Sequence, residues 1–249
     1  MLDTSLLPLT IIALTFLLAG FVKGVIGLGL PTVAVGLLSL VMPPAQAVVI
    51  LVVPSFVTNV WQLAAGPSFR PLARRLWSMM ASVCLGTWAG IGFLTGSGGH
   101  RATAALGVSL AIYAVLGLVK VRFSVSRRAE PWASPLVGLL TGLVTGATGV
   151  FVIPAVPYLQ ALNLQKEELI QALGLSFTVS TIALAIGLAG GGTLPLPLAV
   201  TSLLALAPAL AGMFVGQWVR VRVKPEVFRL CFFLGLLALG IHLTLRAFL

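Results

Sequence analysis

The fold is decided by a glycine-rich stretch inside a long apolar segment, Gly20-Phe-Val-Lys-Gly-Val-Ile-Gly-Leu-Gly-Leu-Pro31. A similar stretch follows 122 residues later, Gly142-Leu-Val-Thr-Gly-Ala-Thr-Gly-Val-Phe-Val-Ile-Pro154. The same offset carries Val57-Thr58-Asn59 onto Val179-Ser180-Thr181. Paired, glycine-broken helices at membrane depth are typical of transporters whose substrate lies between two internal repeats. The pattern therefore predicts an internal duplication.

Composition places the chain in a membrane. Of its 249 residues, 59% are hydrophobic and 8% are charged, whereas soluble domains carry about 25% charged residues. A spanning helix needs about 20 apolar residues, and eight apolar segments occupy nearly the whole chain: 5–41, 44–64, 73–95, 102–119, 133–162, 168–190, 195–219 and 226–248. We predict an all-α polytopic membrane protein built from two homologous four-segment repeats, with the first segment of each repeat broken by Gly and Pro. The repeats are residues 1–121 and 133–249, joined by a cytoplasmic loop at 122–132 within one membrane domain.

The net charge of +10 follows from membrane topology rather than from a nucleic-acid partner. The cations lie in short loops and at helix ends, as at Arg74 and Arg128, and the positive-inside rule assigns such loops to the cytoplasm. With one crossing per segment, the basic loop at 220–224 falls outside, against that rule. If segments one and five instead enter and return, that loop moves inside and both termini move outside. The sequence leaves both topologies open.

The two broken segments are candidate anion sites. If the first helix unwinds between Gly24 and Pro31, a new helix begins near Pro31, and its free amides and positive dipole end point at the break. The second segment offers the same arrangement between Gly146 and Pro154. Two such ends that face each other at the midplane form an anion site without buried arginines. Small residues four apart also allow close helix packing, and we assign that role to Gly20, Gly86, Gly90, Gly212 and Gly216.

Polar residues inside the apolar segments narrow the substrate class. The five acids lie at termini or in loops, which argues against a carboxylate proton relay and favours an anionic or neutral substrate. Lys23 either pairs with a substrate anion or extends to the interface. Two polar stripes either line a site or join helices by hydrogen bonds: one on the second segment, with Ser55, Thr58, Asn59 and Gln62, and its counterpart on the sixth, with Ser176, Ser180 and Thr181. The candidate substrate-binding residues are Lys23, Gly24, Gly27, Gly29, Pro31, Ser55, Asn59, Thr145, Gly146, Thr148, Gly149, Pro154, Ser176 and Ser180.

At these residues the chain resembles the TauE/SafE sulfite exporter family of bacterial membrane permeases. The resemblance rests on the paired four-segment layout, on Ala19-Gly-Phe-Val-Lys-Gly-Val-Ile-Gly-Leu-Gly29 and on its echo Gly138-Leu-Leu-Thr-Gly-Leu-Val-Thr-Gly-Ala-Thr-Gly149. It covers essentially the whole chain. The resemblance implies a secondary transporter, acting as an exporter of sulfite, organosulfonates or related carboxylates across the bacterial inner membrane.

Other function classes find less support in the sequence. An enzyme is disfavoured because the chain has no HExxH, no GxSxG and no intramembrane carboxylate pair. A passive anion channel, or a membrane subunit of a larger complex, remains the alternative. We expect no cofactor, no metal and no nucleic acid. The expected partners are a small anionic substrate and the lipid bilayer, and homo-oligomer formation is left open.

Overall fold

The computed structural model describes residues 6–96, 99–119, 124–190, 195–222 and 225–248, and these residues form ten α-helices and no strand. Seven of the helices are long and apolar enough to cross a membrane by length and composition. The prediction of an all-α polytopic membrane protein is therefore confirmed. The helices are α1 (Leu6–Ile26), α2 (Leu30–Leu38), α3 (Pro44–Ala64), α4 (Phe69–Thr95), α5 (Gly99–Val119), α6 (Glu130–Thr148), α7 (Ala155–Ala161), α8 (Lys166–Gly190), α9 (Leu196–Arg220) and α10 (Pro225–Phe248).

Both predicted breaks are present, and glycine makes each of them. α1 stops at a short turn in which Gly27 and Gly29 have φ of 79° and 107°, values that residues with a side chain rarely adopt. α2 then begins with a proline in its first turn, where no amide is needed. α6 ends at Gly149, with φ 75°, and a buried non-helical segment at 150–153 leads to Pro154, directly before α7. α6 itself begins at Glu130, three residues before the predicted start of the second repeat.

The first broken segment is a re-entrant hairpin. α1 runs parallel to α9, as shown by the contacts of Gly20 with Ala209 and of Gly24 with Met213, in which the residue numbers of both helices increase together. α2 instead runs parallel to α10, with Gly36 against Leu239 and the Leu40 carbonyl accepting a hydrogen bond from Arg246. Since α10 starts at the face where α9 ends, α2 returns to the face from which α1 came.

The second broken segment is also a hairpin, and it enters from the opposite face. α6 runs parallel to α4, in steps of four that place Gly138 against Met79 and Gly146 against Thr87. α7 then turns back, because the Tyr158 hydroxyl lies 2.6 Å from the Ser134 Oγ near the start of α6. The two breaks therefore belong to hairpins of opposite orientation.

These directions remove the conflict over the loop at 220–224. α9 runs parallel to α3, as shown by Ser202 hydrogen-bonding to the Ile50 carbonyl at 2.8 Å and by Trp61 stacking edge-on against Phe214. The end of α9 thus shares a face with the start of α4. Among the described residues, eleven arginines and lysines lie at the two faces. Nine of them lie at the face that holds the end of α9 and the start of α4, and two, Arg101 and Arg246, lie at the other face. The nine are Arg70, Arg74, Arg75, Arg127, Arg128, Lys166, Arg220, Arg222 and Arg229.

The positive-inside rule makes the nine-cation face the inner one. The topology with re-entrant first and fifth segments, and not the one with a single crossing per segment, agrees with that rule. The Arg75 guanidinium lies at this face and donates to both carboxylate oxygens of Glu130 and to the Leu162 carbonyl. This ion pair ties the two ends of the second hairpin to α4.

Glycines join the two halves by direct backbone packing, as predicted for the GxxxG-spaced residues. A Cβ on Gly212 would lie 2.0 Å from the Leu17 carbonyl oxygen, and one on Gly216 would lie 2.2 Å from that of Phe21. Gly86 and Gly90 meet the carbonyls of α6 at 2.3 and 2.7 Å in the same way. Contacts this close leave no room for a side chain. The packing role assigned to these glycines, and to Gly20, is confirmed.

Candidate anion site

A buried polar network connects the first hairpin to α3 and α8. The Lys23 ammonium donates to the Thr58 Oγ at 3.1 Å and to the Asn59 Oδ1. The Asn59 amide donates in turn to the Ser55 Oγ at 3.0 Å and to the Thr181 Oγ at 3.4 Å. Lys23 is 4% exposed and the other four residues are at most 1% exposed. Of the two alternatives for Lys23, the structure favours the inward one, because the ammonium does not reach an interface.

The ammonium has no acidic partner. Among the buried polar residues of the described ranges, Lys23 is the one that carries a charge. Its two partners are neutral, and they use two of its three N–H groups. The Thr58 hydroxyl gives its own proton to the Pro54 carbonyl at 2.7 Å, so its lone pairs are available to the ammonium. A buried cation held only by neutral oxygens is a site where an anion lowers the free energy.

Ser176 and Ser180 are buried, unpaired donors on α8, the helix that also carries Thr181 of this network. Both lie on α8 one helical turn apart, both are 0% exposed, and neither Oγ has a hydrogen-bond partner in the described part of the chain. An unpaired buried hydroxyl costs about 1–3 kcal/mol. Such a cost is offset when a ligand accepts the hydrogen bond, so these two serines fit the wall of an anion site.

The second break contributes backbone donors. The Val150 amide donates to the Thr148 Oγ at 3.1 Å. The amides of the next three residues, which are buried and non-helical, donate no hydrogen bond to the described chain. Unpaired amides inside a membrane protein are tolerated where they line a cavity or meet a ligand. The Thr145 hydroxyl donates to the Thr141 carbonyl at 2.7 Å, so its proton is not available to a ligand.

The structure does not bring the two breaks together at one midplane point. The first lies one turn beyond Lys23, beside the Asn59 end of α3, whereas a Cβ on Gly149 would meet Val48 near the other end of that helix. These two positions on α3 are eleven residues apart, which is about 16 Å of helix at 1.5 Å per residue. The hypothesis of two helix ends facing each other is therefore wrong for this conformation. The network at Asn59 and Thr181 lies between them instead.

Packing accounts for two of the candidate glycines without a ligand. A Cβ on Gly24 would lie 2.2 Å from the Met213 carbonyl oxygen, and one on Gly146 would lie 2.3 Å from that of Thr87. Gly27 has open space around it. A substrate contact for any of these glycines stays a prediction, as it does for Gly29, Pro31 and Pro154 at the hairpin tips.

Thr58 and Thr181 belong to the network but were not among the residues predicted from the sequence. Both belong to the polar stripes seen in the sequence, on the same helical faces as Asn59 and Ser180. The sequence pattern identified both stripes. Which of two neighbouring hydroxyl residues, Ser180 or Thr181, faces the network depends on how the helix is rotated about its axis. Gln62, from the same stripe, instead donates to the Ile170 carbonyl at 3.1 Å and joins α3 to α8.

Multiple apolar spans, re-entrant hairpins and a buried polar network together describe a multi-pass membrane protein with a polar interior. The chain matches the family model described as Sulfite exporter TauE/SafE over residues 12–243. It therefore belongs to the TauE/SafE sulfite exporter family, a family of membrane transporters and not of enzymes. No curated protein and no solved structure matches it significantly.

Proposed function

We propose that the protein is a secondary transporter that exports small anions such as sulfite, organosulfonates or related carboxylates across the bacterial inner membrane. The observation that carries this proposal is the buried Lys23 ammonium, which has neutral partners only. A substrate anion supplies the missing counter-charge, and an ammonium–oxyanion contact is a charge-assisted hydrogen bond. Family membership supports the anion class.

The arrangement of the helices supports alternating access between two inverted repeats. Under the repeat offset, α1 corresponds to α6 and α9 corresponds to α4. The contact of α1 with α9 is then the counterpart of the contact of α6 with α4, and α3 meets its own counterpart α8. Inverted repeats with substrate at their interface are a common transporter design. The network at Asn59 and Thr181 lies at that interface.

Within this site, Lys23 provides the charge and the serines provide neutral donors. Ser176 and Ser180 donate to oxyanion oxygens, and Asn59 holds the ammonium in place. The unpaired amides that follow Gly149 line the route from the site to the outer face. Hydroxyl and amide donors bind an oxyanion at a lower desolvation cost than a second buried cation.

The test is efflux of labelled sulfite and sulfoacetate from proteoliposomes, comparing wild type with Ser180→Ala. Since the Ser180 hydroxyl has no protein partner in the described ranges, its removal is expected to leave the thermal midpoint unchanged or to raise it. If it donates to the substrate, the KM for efflux rises about tenfold, as expected for a hydrogen bond to a charged group. Ser109→Ala, a buried serine of α5, is the matched control.

Each outcome distinguishes the proposal from its rivals. Saturable efflux with the expected KM change supports a carrier with this site. Efflux that grows linearly with concentration indicates a passive channel. Absence of efflux of either anion from a correctly inserted wild-type protein contradicts the sulfur-anion assignment.

A further inference from the structure

A cavity away from the buried network opens at the outer face. It has a volume of about 400 Å³ and lies between the α2–α3 turn, the start of α5 and the end of α10. Its polar lining residues are Ser39, His100, Thr103 and Arg246. Its apolar lining residues are Val41, Met42, Pro43, Pro44 and Ala247.

Arg246 gives the cavity a fixed positive charge. One guanidinium nitrogen donates to the Leu40 carbonyl at 2.7 Å, which holds the side chain at the rim. An arginine has five N–H donors, so most of them stay available. No acidic residue of the described ranges lines the cavity, so no carboxylate among them compensates the charge there. Planar guanidinium groups pair well with carboxylate and sulfonate oxygens.

Ser39 supplies an independent sign that the cavity takes a ligand. It is 5% exposed, it lines the cavity, and its Oγ has no hydrogen-bond partner in the described part of the chain. The start of α5 lies at the same rim, beginning at Gly99, so the positive end of its helix dipole is at this rim. A free hydroxyl, a helix N-terminus and an arginine without a carboxylate partner among the described residues all favour an anion.

We propose that this cavity is a binding site for a small organic anion. The charged head contacts Arg246 and Ser39, and a short apolar portion packs against Val41 and Met42. A volume of this size suits a molecule of several heavy atoms. A cavity of about 400 Å³ matches a short-chain sulfonate or carboxylate better than the paired chains of a lipid. The site is built from residues other than the buried network, and the proposal does not rest on the proposed transport function.

The experiment is isothermal titration of the purified full-length protein, in neutral detergent, with propane-1-sulfonate as the probe. We expect binding to weaken at least tenfold in Arg246→Gln, which removes the charge, and at least threefold in Ser39→Ala. Arg101→Gln, at the same face but outside the cavity lining, should bind as wild type. 1-Propanol, which lacks the anionic head, should not compete.

Two further comparisons distinguish the outer cavity from the buried network and from a lipid site. If Ser180→Ala abolishes binding and Arg246→Gln does not, the probe occupies the buried network, and the outer site is refuted while the transport proposal stands. Unchanged binding in both cavity variants, or absence of binding to wild type, also refutes it. Titrations are repeated in phosphatidylglycerol and phosphatidylcholine nanodiscs. If phosphatidylglycerol alone blocks the probe, a lipid phosphate is the occupant, and the assignment of a soluble anion is wrong.

Discussion

Replacing Lys23 with methionine separates a structural role of the ammonium from a role in transport. Methionine keeps an unbranched stem of similar length and removes the charge. The ammonium donates two hydrogen bonds, to Thr58 and Asn59, and hydrogen bonds to charged groups contribute about 1.5–3 kcal/mol each. Against this, burying an ion costs several kcal/mol. The two terms nearly cancel, so the free energy of unfolding should change by no more than about 2 kcal/mol.

Transport should respond far more strongly than stability. If the substrate anion meets the ammonium, its loss removes a charge-assisted contact, and efflux at sub-saturating anion should fall at least tenfold. The assays are thermal unfolding in detergent and efflux from proteoliposomes, both measured on the same preparation. Lys166→Met removes an exposed charge at the inner end of α8 and should leave both quantities unchanged.

Two results would refute this reasoning about Lys23. A variant whose free energy of unfolding falls by more than about 4 kcal/mol would show that the ammonium has a structural role, because a loss of that size is typical when one partner of a buried charged pair is removed. A stable variant with the wild-type efflux rate would show that the substrate does not approach Lys23. The expected pattern, stability kept and efflux lost, is produced by neither alternative.

Three further predictions concern packing, backbone and topology. Gly142→Ala places a Cβ 2.3 Å from a carbonyl oxygen of α4 and should destabilise by about 1–3 kcal/mol in thermal unfolding, whereas Gly92→Ala, which has open space, should be neutral or stabilising. Gly149→Ala combines φ of 75° with a contact to a valine methyl. It should lower the free energy of unfolding, measured by thermal unfolding, by at least the roughly 1–2 kcal/mol cost of that conformation. In a variant with both native cysteines changed to serine, Val41→Cys should react with an impermeant maleimide in intact cells and Asn163→Cys only after permeabilisation. The reverse labelling would contradict the hairpin topology.

Local features of the fold were predictable because they depend on residues that are neighbours in the chain. Proline and closely spaced glycines placed both breaks, since these residues set backbone conformation locally. The spacing of small residues predicted a packing role for Gly212 and Gly216, because a four-residue step marks one helical face, but it did not identify α1 as their partner. Six of the eight apolar segments correspond to six single helices, with ends that differ by a few residues.

The return of each broken segment was not predictable from its own residues. Length and apolar character are nearly the same for a broken crossing and for a hairpin, so the sequence allowed both. The distribution of basic residues distinguishes a crossing from a hairpin only when the direction of α9 relative to α3 is known. The depth of the two breaks likewise depends on long-range packing, and the midplane hypothesis failed there.

The candidate sites were predictable in part. Polar stripes identified the helical faces of Ser55, Asn59 and Ser180, because periodicity reports the face directly. The pairing of Lys23 with Asn59 is a contact between residues on different helices, and no local pattern specifies it. The outer cavity was missed altogether. Ser39, His100 and Arg246 come from three distant parts of the chain, and each alone resembles an ordinary polar residue at a helix end.

The glycine contacts also limit which parts of the protein can move. α1 meets α9, and α4 meets α6, through backbone atoms too close to slide past each other. These pairs should therefore move as rigid units. α3 and α8 meet through one such backbone contact, at Gly174, and otherwise through polar side chains, so the change between inward- and outward-open states should occur at the polar part of that interface. Spin labels at the exposed residues Leu14 and Val215, on α1 and α9, should keep one distance with and without substrate. Labels at Phe56 and Ile182, exposed on α3 and α8, should shift by several ångströms. A changing α1–α9 distance beside a constant α3–α8 distance would place the moving interface at the glycine contacts and contradict this division.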